Sequence, residues 1–270
     1  MTTRPQETHA DAPLTASSPA PLILSLDTTT EMRSVAVVRG ARVLAATGGR
    51  VLRENSARVL HDVDEALSAC GLKLDDIELF AVATGPGRFT GLRSGLATVK
   101  AFASTLNRPV SGVPTLHAVA YSSGPAPRVL ACLPAGRGEI FGQLLSIADA
   151  PEGVSELSEP FHLSPAAVCE KAAKWGGDLL WAGAGAHAAA VREFAAGKEN
   201  IRLVDDAREA EAHPESCASW TFAPPTESYA IQIAALGLMN YRVGKTTIAE
   251  DLQALYVRLS DAELNERCRA

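Results

Sequence analysis

Gly85-Pro86-Gly87-Arg88-Phe89-Thr90-Gly91-Leu92-Arg93-Ser94-Gly95 is the stretch from which the fold can be read. It follows an apolar run from Leu79 to Thr84 and opens an Ala- and Leu-rich helical pattern. Strand, glycine loop, helix is the order by which α/β proteins offer backbone N–H groups to an anion, or bring a helix hard against a sheet. The loop is not of Walker A type, because Gly91 is followed by Leu92 and Arg93 rather than Lys and a hydroxyl residue. Pro86 removes one N–H from any phosphate cradle. The competing reading is that the glycines serve a sharp turn and close packing.

On the amino-terminal side, Leu22 to Leu26 form a short apolar strand ending in Asp27-Thr28-Thr29-Thr30. Ser34 to Val38 and Val43 to Thr47 continue it as an antiparallel meander through the turn Arg39 to Arg42. A helix is predicted from an Asn55 or Ser56 cap to Cys70, with Gly71 as its stop. Its apolar arc is Val59, Leu60, Val63, Ala66, Leu67 and Cys70. The helix after the glycine loop has two faces. Leu92, Gly95, Leu96, Val99, Phe102, Ala103 and Leu106 form a bulky arc, and Ser94, Thr98, Ala101 and Thr105 form a smooth one. Such a helix can pack on its own sheet and admit a second helix closely.

On the carboxyl side, Pro109 to Val113 is a strand, Thr115 to Tyr121 a helix, and Ser122 to Pro127 a candidate linker. Val129–Leu133 and Glu139–Ile147 pair around the turn Pro134 to Gly138. Ser164-Pro165 opens a helix in the order N-cap then N1. Leu179–Ala182 and Ile201–Val204 are strands, and Asp206 to Glu215 is a charged loop. A last helix, capped by Thr226 or Ser228, runs to Val243. Both halves begin with paired strands and continue with alternating helices and strands, the mark of a duplicated α/β architecture.

Composition narrows the function. The 270 residues carry a net charge of −6, with 47% hydrophobic and 21% charged residues. No basic stripe is present, so RNA would reach this chain through a partner. The five cysteines are widely spaced and read as reduced thiols. The first 21 residues lack the apolar core of a signal peptide, and no apolar run is long enough to span a bilayer. A cytoplasmic protein with no membrane attachment is expected.

Asp27, at a strand end with three hydroxyl residues behind it, is placed to face nucleotide phosphates through Mg²⁺, or to satisfy turn N–H groups. Gly183-Ala184-Gly185 would admit a base or ribose, or open a strand-to-helix turn. None of the six histidines lies three or four residues from another, so no helix offers a two-His metal face. No Gly-x-Ser-x-Gly elbow occurs. No catalytic set and no metal site are assigned. Arg93 lies in a first helical turn, where the macrodipole opposes a cation; a carboxylate from a neighbouring element or from a partner is expected to compensate, the alternative being an exposed Arg whose small cost is tolerated.

LSLDTTTEMRSVAVV, LRENSARVLHDVDEAL, VATGPGRFTGLRSGLATVKAFA, SGVPTLHAVA, RGEIFGQLL and LYVR together resemble the TsaB (YeaZ) family, over Leu22 to about Leu259. The resemblance implies an α/β fold of the actin/Hsp70/sugar-kinase (ASKHA) type with a reduced second domain. The boundaries are a tail over 1–21, domains over 22–121 and 128–260, and a tail over 261–270. It implies a non-catalytic subunit that binds and activates a TsaD-like transferase. That enzyme carries threonylcarbamoyl to N6 of the adenosine beside the anticodon of tRNA. A TsaE-like ATPase joins the complex, and the isolated chain forms a homodimer. No cofactor is required, with ATP or ADP and Mg²⁺ possible at or near the partner interface. Weak nucleotide binding falls on Asp27, Thr28, Thr29, Gly85 and Gly87. The partner interface falls on Leu60, His61, Asp64, Arg88, Phe89, Arg93, Leu96, Val99 and Lys100. Family members usually carry Glu-His where Glu54-Asn55 stands, Ser in place of Arg88, and Asp-Ala-Arg in place of Pro134 to Gly136. The enzymatic alternative is a small-molecule kinase or ATPase of the same fold. It would need a second Asp-Gly-Thr phosphate loop and a catalytic carboxylate in the second half, and neither is found.

Overall fold

A computed structural model describes residues 20–48, 58–149, 153–183, 185–204, 217–226 and 228–257. The expected tails fall almost wholly outside these residues. So do Glu54, the Asn55/Ser56 cap and the 206–215 loop.

Two sheets repeat one plan. In the first, β1 (Leu22–Asp27), β2 (Ser34–Arg39) and β3 (Arg42–Gly48) form the antiparallel meander, and β4 (Leu79–Ala83) and β5 (Val110–Val113) add in parallel, giving the order β3-β2-β1-β4-β5. In the second, β6 (Ala126–Gly136) and β7 (Glu139–Ile147) pair antiparallel, with β8 (Val154–Glu156) and β9 (Phe161–Leu163) on β7. Parallel to β6 follow β10 (Leu179–Ala182), β12 (Ala218–Phe222) and β11 (Ile201–Val204), for the order β11-β12-β10-β6-β7-β8. A meander followed by parallel additions, made twice, is the expected two-sheet α/β architecture of the ASKHA fold. Strands β8 and β9, three residues each, are too short to be legible in sequence, and β12 (ASWTF) is a strand that the sequence reading leaves out.

Five layers result. Helices α1 (Arg58–Ala69) and α2 (Phe89–Leu106) cover the outer face of the first sheet. Helices α4 (Pro165–Trp175) and α5 (Ala188–Ala196) cover the outer face of the second. Between the sheets lie α3 (Thr115–Tyr121) and α6 (Ala230–Arg242). The strands feed both sides by their two-residue period. In β1, Ile23 faces the central layer while Leu22, Leu24 and Leu26 face α1 and α2. In β6, Val129, Ala131 and Leu133 face inward while Leu130 and Cys132 face α4 and α5.

The middle layer crosses the expected boundary between halves. Helix α3, drawn from the first half, packs on β6 and β7, and α6, from the second, packs on β1, β2, β4 and β5. Gly237 permits this, since a Cβ there would stand 2.8 Å from Ala81 Cβ. The Ser25 hydroxyl donates to the Ala230 carbonyl (2.7 Å), and the Ala230 amide donates to Ser34 Oγ (3.2 Å). This second bond corrects the predicted cap. Helix α6 begins at Ala230 because a serine of the other sheet receives its first-turn amide, not Thr226 or Ser228. The Ser164 cap stands as read, its hydroxyl accepting from the Ala167 amide at 3.3 Å. The expected linker ends early, with Ala126 and Pro127 already in β6.

The last described segment returns to the first sheet. Thr247 bridges Val110 on the free edge of β5, Ala249 and Leu252 enter the outer core, and the Leu255 amide donates to the Thr84 carbonyl at 2.7 Å. This strap covers an edge strand that would otherwise offer unpaired backbone groups.

Candidate functional site

The turn after β1 and the loop after β4 are folded into one another. Asp27 is fully buried, and its carboxylate is occupied from within. Oδ1 accepts from the Thr29 amide (2.8 Å), the Thr29 hydroxyl (2.8 Å) and the Thr30 amide (3.4 Å), and Oδ2 accepts from the Thr30 hydroxyl (2.5 Å). Burial is the dominant influence on this group and raises its pKa above 3.8, against the pull of those hydrogen bonds. Tyr229 stands over the same region. Burial, with a smaller contribution from Asp27, pushes its hydroxyl up to about 12.

The glycines have a steric purpose. A Cβ on Gly87 would lie 2.6 Å from the Thr29 carbonyl oxygen, and one on Gly95 would lie 2.2 Å from Thr28 Oγ1. At Gly91 the overlap with the Thr28 carbonyl would be greater still. The loop amides are largely committed. Gly85 donates to Thr115 Oγ1 (3.2 Å) and Arg88 to the Thr29 carbonyl (2.8 Å). Gly85, at φ +102, also takes the Leu255 carbonyl of the strap against its open side. The space where phosphates would be cradled is therefore filled by the chain's own Thr28-Thr29 backbone.

The residues do not fit the Mg²⁺-phosphate group that the fold type implies. Both Asp27 oxygens already accept hydrogen bonds from the Thr29-Thr30 turn, Gly87 packs on Thr29, and Gly91 and Gly95 pack on Thr28, while Gly85 packs on Leu255. Of the two readings of the DTTT turn, the hydrogen bonds favour the turn-satisfying one. Among the described residues no group of three or more His, Cys, Asp or Glu side chains is gathered to hold a metal ion.

The outer face of α1 and α2 is open. His61, Asp64, Arg88 and Arg93 are exposed, as are Leu60 (55%) and Phe89 (42%), and small residues Ala97 and Ala101 lie between. Lys100 is half-buried, its Nζ donating to the Glu250 carbonyl at 3.3 Å. Two of the expected interface residues are not on this face. Leu96 (7% exposed) and Val99 (0%) point into the first sheet's outer core. The bulky arc of α2 serves its own sheet, and only the smooth arc is left for a second molecule. Leu60, placed by periodicity on the buried arc of α1, turns outward beside that smooth arc. Among the described residues Arg93 pairs with no carboxylate of its own chain. Its guanidinium lies 4.0 Å from the Phe89 ring centroid, one helical turn away, and Phe89 in turn meets the Tyr256 ring at 6.0 Å.

A cleft of about 910 Å³ opens between the sheets. Thr29, Thr30 and Gly87 reach it from the first sheet, and Gly136, Gly183 and Phe222 from the second. It lies outside the carboxyl ends of the parallel strands, where open α/β sheets present their loops. Gly183 is explained by packing, since its Cβ would lie 2.3 Å from the Cys132 carbonyl oxygen. Gly185 borders the cleft with open space around it, and Ala184 lies outside the described residues. Sequence reasoning missed Trp181, Arg192, Phe222 and Tyr229 on these walls. Trp181 and Phe222 carried a local signal, an aromatic residue at or near the ends of β10 and β12, whereas Arg192 on α5 and Tyr229 ahead of α6 carried none.

The family model described as TsaD, tRNA N6-adenosine threonylcarbamoyltransferase, matches residues 41–153. A tRNA threonylcarbamoyladenosine biosynthesis protein TsaB from Escherichia coli (strain K12) is 37% identical over 122 residues, 44% of this chain and 52% of that one. Its counterpart in Bacillus subtilis (strain 168) is 32% identical over 98 residues, 36% and 43% of the two chains. The matched stretches thus span about half the length of these relatives. Over nearly the whole fold, the solved structure of YeaZ from Pseudomonas aeruginosa superposes with a TM-score of 0.65 and 25% identity, covering 87% of this chain and 99% of that one. No helix among the described residues is long and apolar enough to cross a membrane.

Proposed function

The chain belongs to the TsaB (YeaZ) family, and from that premise we propose that it is the non-catalytic subunit that binds and activates a TsaD-like transferase in forming threonylcarbamoyladenosine beside the tRNA anticodon. One observation carries the reading. The loop that could have handled phosphate is packed shut by Thr28 and Thr29, while the helices it leads into expose a smooth face rimmed by Leu60, Phe89 and Arg93. Binding chemistry has moved from the loop to the helices.

A helix of the transferase packs along Ala97 and Ala101 in this reading, because small side chains let two helix axes approach closely. The same face serves a second copy of the chain when the transferase is absent. A TsaE-like ATPase joins the assembled pair, and tRNA is held by the partners, in keeping with a net charge of −6 here. Any ATP or ADP with Mg²⁺ belongs at the partner interface, not at Asp27. The kinase or ATPase alternative is the weaker reading, because both oxygens of the buried Asp27 carboxylate are engaged by the Thr29-Thr30 turn.

Reconstitution of tRNA modification from purified components tests the proposal. Activity should require this chain and should fall with Ala101→Glu, which leaves the core untouched. Full activity without the chain would end the idea.

A further inference from the structure

We propose that Arg33 is a positioning residue for the docking face: through Asp62 it ties helix α1 to the same turn that seats helix α2. This role rests on the docking reading proposed above and deepens it, by naming what holds the two helices in place relative to each other.

One short connection meets both helices. The turn from Asp27 to Arg33 joins β1 to β2. Its beginning belongs to α2. Thr28 is buried, its hydroxyl donates to the Gly91 carbonyl at 2.8 Å, and the bare backbone at Gly91 and Gly95 makes room for it. Its end belongs to α1. Arg33 Nε donates to Asp62 Oδ2 at 2.9 Å. Between these two contacts the Asp27 carboxylate accepts from Thr29 and Thr30 and stiffens the span. The turn that is packed against phosphate is thus built to hold helices.

Burial separates this ion pair from an ordinary surface one. The Arg33 and Asp62 side chains are only 19% and 16% exposed, whereas the Arg39–Glu78 pair stands about half exposed at 3.8 Å. Pairs of the exposed kind contribute little and hold no fixed geometry. A charge-assisted hydrogen bond largely withdrawn from water is directional, and removing one partner costs more there than at the surface. Asp62 is also met from β3, where the Thr47 hydroxyl donates to its backbone carbonyl at 3.4 Å.

A directional bond is what α1 needs. Its inner side buries Val59, Val63, Ala66 and Leu67 on the first sheet. Hydrophobic contact is non-directional, so it keeps the helix down without fixing a slide or a roll. Asp62 shares the helix with Leu60, His61 and Asp64, the exposed residues of the face. Any movement at Asp62 carries those three relative to Ala97 and Ala101 on α2. Helices that pack closely have side chains interlocked at a fixed angle and tolerate little such displacement.

Isothermal titration of the full chain with the purified TsaD-like transferase of the same organism tests the proposal, at a temperature where circular dichroism shows the variants folded. Arg33→Ala and Asp62→Asn should each weaken docking by about tenfold. The double variant should be weaker by about the same factor, because either change alone removes the one interaction. A pair that served only fold stability would lower the urea midpoint and leave the affinity of the folded protein unaltered. Unaltered affinity in either single variant therefore overturns the proposal, as does an additive loss of about a hundredfold in the double variant. Should Arg33→Ala not fold, Asp62→Asn decides alone, since it keeps the side chain's shape. Ala101→Glu separates the two levels. If it abolishes docking while the Arg33 and Asp62 variants dock normally, the positioning role fails and the docking face stands. If it too docks normally, the face is misplaced and both readings fall.

Discussion

A methyl group added at Gly95 should destabilise the protein, although it lies in the middle of a helix. On helix propensity alone, Gly95→Ala would stabilise α2 by about 1 kcal/mol. The new Cβ, however, would stand 2.2 Å from Thr28 Oγ1, 3.3 Å from Thr28 Cβ and 3.4 Å from Thr28 Cγ2. The hydroxyl must leave its bond to the Gly91 carbonyl, 2.8 Å away, at about 1 kcal/mol. The remaining overlap costs a further ~1–3 kcal/mol in a packed site. The net expectation is a loss of about 1–3 kcal/mol. Thr28→Ala alone should cost about 1 kcal/mol through the same hydrogen bond. In the double variant the clashing Oγ1 and Cγ2 are both gone, and the helix gain is recovered. It should be no less stable than Thr28→Ala, giving a coupling of at least about 1–3 kcal/mol. Urea unfolding followed by far-UV circular dichroism measures all four proteins. If Gly95→Ala stabilises the protein by itself, or if the two single costs add to within about 0.5 kcal/mol, the argument that these glycines exist for packing is refuted.

Other substitutions sort the remaining roles. Leu96→Glu and Val99→Glu should abolish folding or cost several kcal/mol, because each buries an unpaired charge. Ala97→Glu and Ala101→Glu should keep the native circular dichroism spectrum yet fail to co-purify with the transferase. Asp27 holds its proton more tightly folded than unfolded, so its contribution is fully present below its unfolded value and is lost as pH rises through the raised folded value. Asp27→Asn should flatten that part of the decline, read from urea midpoints between about pH 4 and about pH 7. His117 runs the other way. Burial lowers its pKa from 6.5 in spite of Glu156 Oε1 at 3.0 Å, so its contribution is present above 6.5 and lost as pH falls through the folded value. His117→Gln should reduce acid sensitivity in that window, and an unchanged acid profile would remove His117 as its cause.

Local chemistry made the two meanders, the glycine loop and the helix faces legible. Period-two burial in Leu22 to Leu26 and the Ser164 cap are properties of adjacent residues. The placement of Leu60 shows the limit of that reasoning. A helical wheel assigns an arc, but the neighbouring helix decides where the arc ends. The partner of Arg93 was within reach, because Phe89 lies four residues earlier and such pairs face each other on a helix. What the sequence could not reveal depends on long-range meetings. Ser34 caps a helix nearly two hundred residues away, α3 and α6 exchange sheets, and five strand ends converge on one cleft. No window of neighbouring residues contains that information. The Asp27 turn lay between these cases. Its two readings differ only in whether Thr28 and Thr29 fill the glycine cradle or leave it open.

The strap from Thr247 to Leu255 has a bearing on how the molecule is made. The β4–α2 loop, translated within the first third of the chain, is buttressed at Thr84 and Gly85 by residues translated near its end. Helix α6, equally late, covers the inner face of the first sheet. A fragment ending near Gly124 would leave that face wet and the serines Ser25 and Ser34 without their Ala230 partners. The amino-terminal half should thus emerge from the ribosome unfinished and settle only when the last helix and its trailing segment arrive. Nonsense truncations that remove α6 or the strap from Thr247 to Leu255 should then be as damaging as early ones.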